Sequence, residues 1–126
     1  GNNFGLFGNY KKAKSLLKKL YKISSPEAII LTASTDIYQS DDPDHKNYHK
    51  QNKKRGRMPG QIRIRVRFKK YIGDWFDYLL VSPGEMEEIL QGTGWKIKKI
   101  INSSNPTYMA ILEKEQYGEI KKRANK

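Results

Sequence analysis

The residue types able to do chemistry concentrate in one stretch. From Gln61 to Lys69 the sequence alternates, with Ile62, Ile64, Val66 and Phe68 on one side and Arg63, Arg65, Arg67 and Lys69 on the other, the period-two pattern of a half-buried strand. Cations that recur about every 6.8 Å along a strand face, followed by Tyr71 and Trp75, suit a charged substrate or a single-stranded nucleic acid. The arginines would meet its phosphates and the rings would stack on its bases. The same residues also make an ordinary solvated sheet face, in which an Arg67 to Asp77 pair contributes up to about 1 kcal/mol. Both readings stand on the sequence.

Other constellations are weaker. His45 and His49 stand four apart with Asp44 nearby, a spacing that metal ligands use on a helix. No third ligand follows at fixed spacing, so the expectation is two solvated histidines and no metal. Ser34, Asp36 and His45 are the right types for acyl transfer, but no Gly-x-Ser-x-Gly elbow accompanies them. Asp41, Asp42 and Asp44 cluster around Pro43 and read as exposed acids of a turn. The glycines at 1, 5 and 8 do not have the G-x-G-x-x-G spacing of a phosphate cradle.

The elements that position these residues can be read outward from the arginine strand. A second β-rich run, Trp75 to Val81, can fold back on it through a loop Tyr71-Ile72-Gly73 with Gly in the left-handed position. The register that matches apolar to apolar sets Phe76 opposite Phe68, Tyr78 opposite Val66, Leu80 opposite Ile64 and Asp77 opposite Arg67. Ser82-Pro83-Gly84-Glu85 is a capping box with Pro at the first helical position. A helix therefore starts at Pro83, buries Met86, Ile89 and Leu90, and stops at Gly92 or Gly94.

Upstream, Lys11 to Lys22 is an amphipathic helix with Asn9 as its N-cap, its apolar side carrying Ala13, Leu16, Leu17, Leu20 and Tyr21. Its six lysines read as a solvated outer face. Ala28 to Ala33 is a continuously apolar strand of the kind buried on both faces of a parallel sheet, and Thr35 and Asp36 lie at its carboxyl end, where open α/β sheets bind ligands. Residues 37–59 are polar and read as an irregular, mobile insertion or lid. Trp95 to Asn102 and Thr107 to Glu113 are two strands joined by an Asn-Ser-Ser-Asn-Pro turn and able to pair antiparallel. Residues 117–126 are a basic tail.

Composition bounds the function. The chain has 126 residues, one domain's worth, and 25 Lys plus Arg against 13 Asp plus Glu give a formal charge of +12. Such a field favours anionic partners, although a Lys-rich surface also serves solubility. There is no cysteine, which excludes disulfides, thiolate metal sites and Cys nucleophiles. No apolar run approaches the roughly 20 residues of a membrane span, and no signal-peptide pattern opens the chain. The expected location is the cytoplasm, with no membrane partner.

From Gly1 to about Lys114 the sequence resembles the C-terminal half of a class I S-adenosylmethionine-dependent methyltransferase. The matching features run in order: the GNNFGLFG loop, a helix, the AIILTAS strand, a lid-like insertion, WFDYLLVSP before a Glu-rich helix, the TGW turn, and a final strand ending in AILEK. The resemblance implies an α/β fold, the C-terminal half of a Rossmann-like sheet built from helix, strand, insertion with β-hairpin, helix and a final antiparallel strand pair. In that family the last of seven strands is antiparallel and inserted between the fifth and sixth. Ala28 to Ala33 would be the fifth strand, Lys96 to Ile101 the sixth and Thr107 to Glu113 the seventh.

The resemblance further implies that Asn2, Asn3 and Phe4 line the cofactor and reaction centre. The hairpin, with Arg63, Arg65, Arg67, Tyr71 and Trp75, would form the acceptor-substrate side. The family's Gly-rich cofactor loop and ribose-binding acid have no counterpart in residues 1–126, so these residues read as one incomplete domain. S-adenosylmethionine is the cofactor expected of the complete protein and none is expected for this chain alone. Its expected partners are a missing N-terminal half or a second copy at the exposed sheet edge. A basic stand-alone module for nucleic acid or another polyanion is the rival reading.

Overall fold

The computed structural model describes residues 2–39, 41–103 and 105–116; the basic tail expected over 117–126 lies outside the described residues. A 3-10 turn, Asn3–Phe7, leads into helix α1, Tyr10–Ile23, whose N-cap Asn9 accepts from the Lys12 amide at 2.8 Å. Strand β1 covers Ile29–Thr35. After an insertion come α3, Pro83–Leu90, β6, Trp95–Asn102, and β7, Thr107–Lys114. The three long strands form one sheet in the order β1-β7-β6, with β7 antiparallel to both neighbours. That is the arrangement implied by the resemblance.

The strand alternation decides where the core lies. Ile30, Thr32 and Ser34 pair with Leu112, Ala110 and Tyr108 and point to one face, where Ala13 and Leu17 of α1 and Met86, Ile89 and Leu90 of α3 complete a buried core. Successive side chains of a strand point to opposite faces, so Ile29, Leu31, Ile101 and Met109 occupy the other. Among the described residues that face is uncovered: Ile29 and Leu31 are each 55% exposed. The continuous apolar run of β1 is thus covered by them on one side only.

Helix α3 follows the sequence reading. Ser82 accepts from the Glu85 amide, and Glu85 accepts from the Ser82 amide at 2.9 Å. The helix ends at Leu90, and Gly92 and Gly94 then adopt φ of 79° and 88°.

The insertion departs from expectation in two ways. Where the sequence reads as irregular, residues Pro43–Lys54 form a helix, α2. The acids taken for an exposed turn start it: the Asp42 side chain accepts from the Asp44 amide and Pro43 occupies the first turn, a standard helix start. Its hold on the rest is polar. Asn52 is 2% exposed and donates to the carbonyls of Pro59 (3.0 Å) and Gln61 (2.7 Å), and His49 Nδ1 lies 2.7 Å from Pro59 O.

The hairpin forms, but in another register. Strand β2, Gln61–Ile64, pairs with β5, Phe76–Leu79, so that Ile64 faces Phe76, Arg63 faces Asp77 and Ile62 faces Tyr78. This is four residues from the expected register, an even shift that leaves every side chain on its expected face. The cause is the turn. A short ribbon of β3, Arg67–Phe68, and β4, Tyr71–Ile72, closes over Lys69-Lys70, with Lys69 in the left-handed region at φ 53°. Tyr71 and Ile72 of the expected loop are therefore strand, and Gly73 donates its amide to Val66 O at 2.9 Å. Two residues, Asp74 and Trp75, then stand where only Arg65 stands on the other side, a bulge that restores the pairing further down.

Candidate functional site

The site is built at the carboxyl end of β1, where the Asn2–Phe4 loop, the insertion and the start of α3 converge. Each loop residue is held by the chain itself. Phe4 is 1% exposed and meets Phe7 edge-on at 5.1 Å, so it anchors the loop from the core. The Asn3 carboxamide donates to Leu31 O at 3.1 Å and accepts from the Ala33 amide at 2.7 Å. Those are the two groups that a residue of a parallel neighbouring strand would pair with opposite Thr32. The edge of β1 is in this way partly occupied where the sequence reading leaves its amides unpaired.

Asn2 accepts from the Thr35 hydroxyl at 2.7 Å through its side chain, and its carbonyl accepts from the Gly5 amide and from the Tyr78 hydroxyl. The Tyr78 ring lies so close to Gly5 that a Cβ there would meet ring carbons at 2.5 Å. A larger residue at Gly5 would have to displace the Tyr78 ring, and this approach ties the base of the hairpin to the loop.

Behind the loop, hydroxyls join the hairpin's exit to the sheet. Ser34 Oγ accepts from the Val81 amide at 3.0 Å and Tyr108 donates to the Val81 carbonyl at 2.7 Å. Ser34 is thus committed to structure, and Asp36 accepts from the Tyr38 amide at 3.0 Å. Tyr38 donates to Glu85 at 3.0 Å on the wall of a groove of about 710 Å³ that is also lined by Tyr10, Lys11, Lys53 and Arg57.

These phenols hold their protons tightly. Burial, then the charge and hydrogen bond of Glu85 and the charge of Asp36, raise Tyr38 to about 12. Burial raises Tyr78, and burial with the Asp36 and Glu85 charges raises Tyr108. A proton held more tightly folded than unfolded contributes stability that is complete below the ordinary value of 10.0 and lost as pH climbs through the folded value, about 12 for Tyr38. Urea unfolding midpoints are therefore expected to stay level from neutral pH until about pH 10 and then fall. The fall should be smaller in Tyr38→Phe and Tyr108→Phe; an equal fall in both variants would show that these phenols do not set it.

The five residues expected on the acceptor side all lie on the hairpin. Arg63 pairs with Asp77 at 3.7 Å, in place of the expected Arg67, and both members are well exposed. Arg65 lies over the Trp75 ring at 4.5 Å, a contact created by the bulge. Arg67 faces Ile72 and Tyr71 faces Phe68 across the tip. The sequence marks Glu85 only as a capping residue and gives no sign of its bond to Tyr38, because that pairing depends on the fold of the insertion. Among the described residues no group of three His, Cys, Asp or Glu could hold a metal ion, and no helix is long and apolar enough to cross a membrane.

No protein-family model matches the chain, and no curated protein matches it. Solved structures do. An S-adenosylmethionine-dependent methyltransferase from Bacteroides fragilis, in complex with S-adenosyl-L-homocysteine, aligns with a TM-score of 0.71 at 24% identity, covering 91% of this chain and 45% of that one. The CcbJ methyltransferase from Streptomyces caelestis aligns with a TM-score of 0.52 at 8% identity, covering 92% of this chain and 55% of that one. The chain spans about half the length of either structure and, over that half, has the α/β fold of these methyltransferases.

Proposed function

We propose that residues 1–126 are the C-terminal, acceptor-side half of an S-adenosylmethionine-dependent methyltransferase. The observation that carries this reading is the β1-β7-β6 sheet, with its antiparallel β7 in the middle and one apolar face left uncovered by the described residues. A sheet in an α/β protein of this kind is covered on both faces. Here the uncovered face and the β1 edge invite the missing half of the sheet, or else a second copy of the chain.

The chain's own residues do not fit a cofactor by themselves. Asn2 and Asn3 spend their carboxamides on Thr35 and the β1 edge, and Phe4 is in the core. Among the described residues no Gly-rich turn lies between a strand and a helix to accept the anionic end of a nucleotide. In this reading the Asn2–Phe4 loop borders the cofactor site without offering it a free side chain, and the insertion with its arginine hairpin forms the acceptor wall.

Calorimetric titration tests the reading. Residues 1–126 alone are expected to give no heat with S-adenosylmethionine and to associate with concentration through the bare face. Adding a separately expressed polypeptide from the reading frame upstream of Gly1 should suppress that association and produce cofactor binding. A clear micromolar isotherm from residues 1–126 alone would overturn it, because a ligand needs most of its area buried and its polar groups oriented to bind that well.

A further inference from the structure

We infer that the hairpin from Gln61 to Leu79 is an arm that binds single-stranded nucleic acid along its outer length. Its use in presenting an acceptor rests on the methyltransferase reading above; the binding itself does not. Three observations converge on this stretch.

The first is exposure of the wrong kind for an idle loop. Phe68 is 66% exposed, Tyr71 64% and Trp75 53%, so the outer half of the arm presents large rings to water while its base is packed. Rings held in solvent on a two-stranded ribbon are available for stacking, and base stacking on aromatic side chains is how strands without secondary structure are gripped.

Charge is the second. Arg63, Arg65, Arg67, Lys69 and Lys70 are balanced along the arm by Asp74 and Asp77 alone, and Arg63 is the one paired with Asp77. The third is preorganisation: the bulge sets the Arg65 guanidinium 4.5 Å over the Trp75 ring. This holds the indole in place while leaving half of it in solvent, next to a cation that can meet a phosphate.

The alternatives are disfavoured by particular residues. The tip that would lead into a membrane is Lys69-Lys70 rather than an apolar side chain; its ammonium groups would stay at the headgroup level and keep the rings behind them, Trp75 above all, out of the acyl region. Duplex nucleic acid would use the cations but leave the rings idle. The root of the arm also points to an extended strand. Tyr78 donates to the Asn2 carbonyl and its ring packs on Gly5, so a strand following the arm inward is led to the Asn2–Phe4 loop.

Fluorescence anisotropy of the full chain with a labelled oligouridylate of about 12 nucleotides tests the proposal. Binding is expected, with affinity falling as salt rises at about 0.7 logarithmic units per decade for each phosphate contacted. Trp75→Ala should weaken it roughly tenfold or more, Trp75→Phe should retain most of it, and Arg65→Ala should flatten the salt slope. Far-UV circular dichroism of each variant separates lost contacts from lost folding. Unchanged affinity in a folded Trp75→Ala, equal affinity for a duplex of the same length, or capture by phosphatidylserine vesicles in preference to the oligonucleotide would each overturn it. Failure here together with successful reconstitution of cofactor binding would remove nucleic acid and leave the methyltransferase reading standing. The opposite pair of results would do the reverse.

Discussion

Trp95→Ala is expected to destabilise the domain by about 3–5 kcal/mol, the range for removing a buried large aromatic side chain. Trp95 is 1% exposed and does more than fill space. Its indole Nε1 donates to Leu17 O at 2.9 Å, and its ring meets Tyr21 edge-on at 6.2 Å. Lys114 completes the cluster, lying 4.5 Å over Tyr21 and 5.8 Å over Trp95 while donating to the carbonyls of Tyr21 and Ser24 at 2.7 and 2.8 Å. That ammonium satisfies carbonyls left open at the end of α1, where a cation also suits the helix dipole. Removing the indole thus detaches α1 from the β6-β7 pair, on the only face where this sheet is covered among the described residues. Thermal unfolding should show a Tm lower by on the order of 15 °C. Trp95→Phe, which keeps a ring and loses the hydrogen bond, should cost less. A loss under about 1 kcal/mol in Trp95→Ala would mean that the site collapses around the cavity and that α1 is held elsewhere.

How much of this could be read from the sequence depends on whether local chemistry or a remote partner decides each element. Asn9, Ser82-Pro83-Gly84-Glu85, Gly92 and Gly94 act within a few residues, and α1 and α3 begin and end where those residues require. The sheet order followed from the resemblance, not from the strands themselves, since nothing in AIILTAS says which neighbour it takes. Helix α2 was missed because its signal is polar all round: it is held by Asn52 and His49 bonding to Pro59 and Gln61, and no apolar stripe announces it. Asp42-Pro43 before a run of helix-compatible residues was the available clue. The expected hairpin register is displaced because Gly73 is the residue in this stretch whose own chemistry favours a turn. The actual turn puts a lysine in the left-handed region, which costs roughly 1–2 kcal/mol relative to glycine. Of the candidate site residues, the exposed arginines and aromatics were legible as a set, whereas the Arg65–Trp75 contact required the bulge and the Tyr38–Glu85 bond required the insertion's path.

Gly60→Ala is expected to be the second most damaging change, costing about 3 kcal/mol, near the upper end for forcing an extra carbon into a packed site. Gly60 is buried, its carbonyl accepts from the Leu80 amide at 2.9 Å, and it continues the β2-β5 ladder by one step. A Cβ on it would lie far inside van der Waals contact with the Leu80 carbonyl oxygen and 2.8 Å from the Leu80 carbonyl carbon. The obstacle is backbone, so no rotamer change relieves it; either the ladder opens at its base or the chain before it moves. The chain before it is Pro59, whose carbonyl is the acceptor for both His49 and Asn52. Relief on that side therefore loosens α2, which has no buried apolar anchor of its own among the described residues. Two readouts distinguish the routes. If the ladder opens, the amide of Leu80 should lose hydrogen-exchange protection while α2 keeps its own; if α2 detaches, protection should fall across residues 46–54 with the hairpin intact. In either case the arm loses its fixed attitude over the Asn2–Phe4 loop, so oligonucleotide binding measured on the folded fraction should weaken even though no arginine or aromatic residue has changed. Stability within about 0.5 kcal/mol of the parent, with both sets of amides protected, would show that the close approach of Gly60 to Leu80 is not a constraint on the fold.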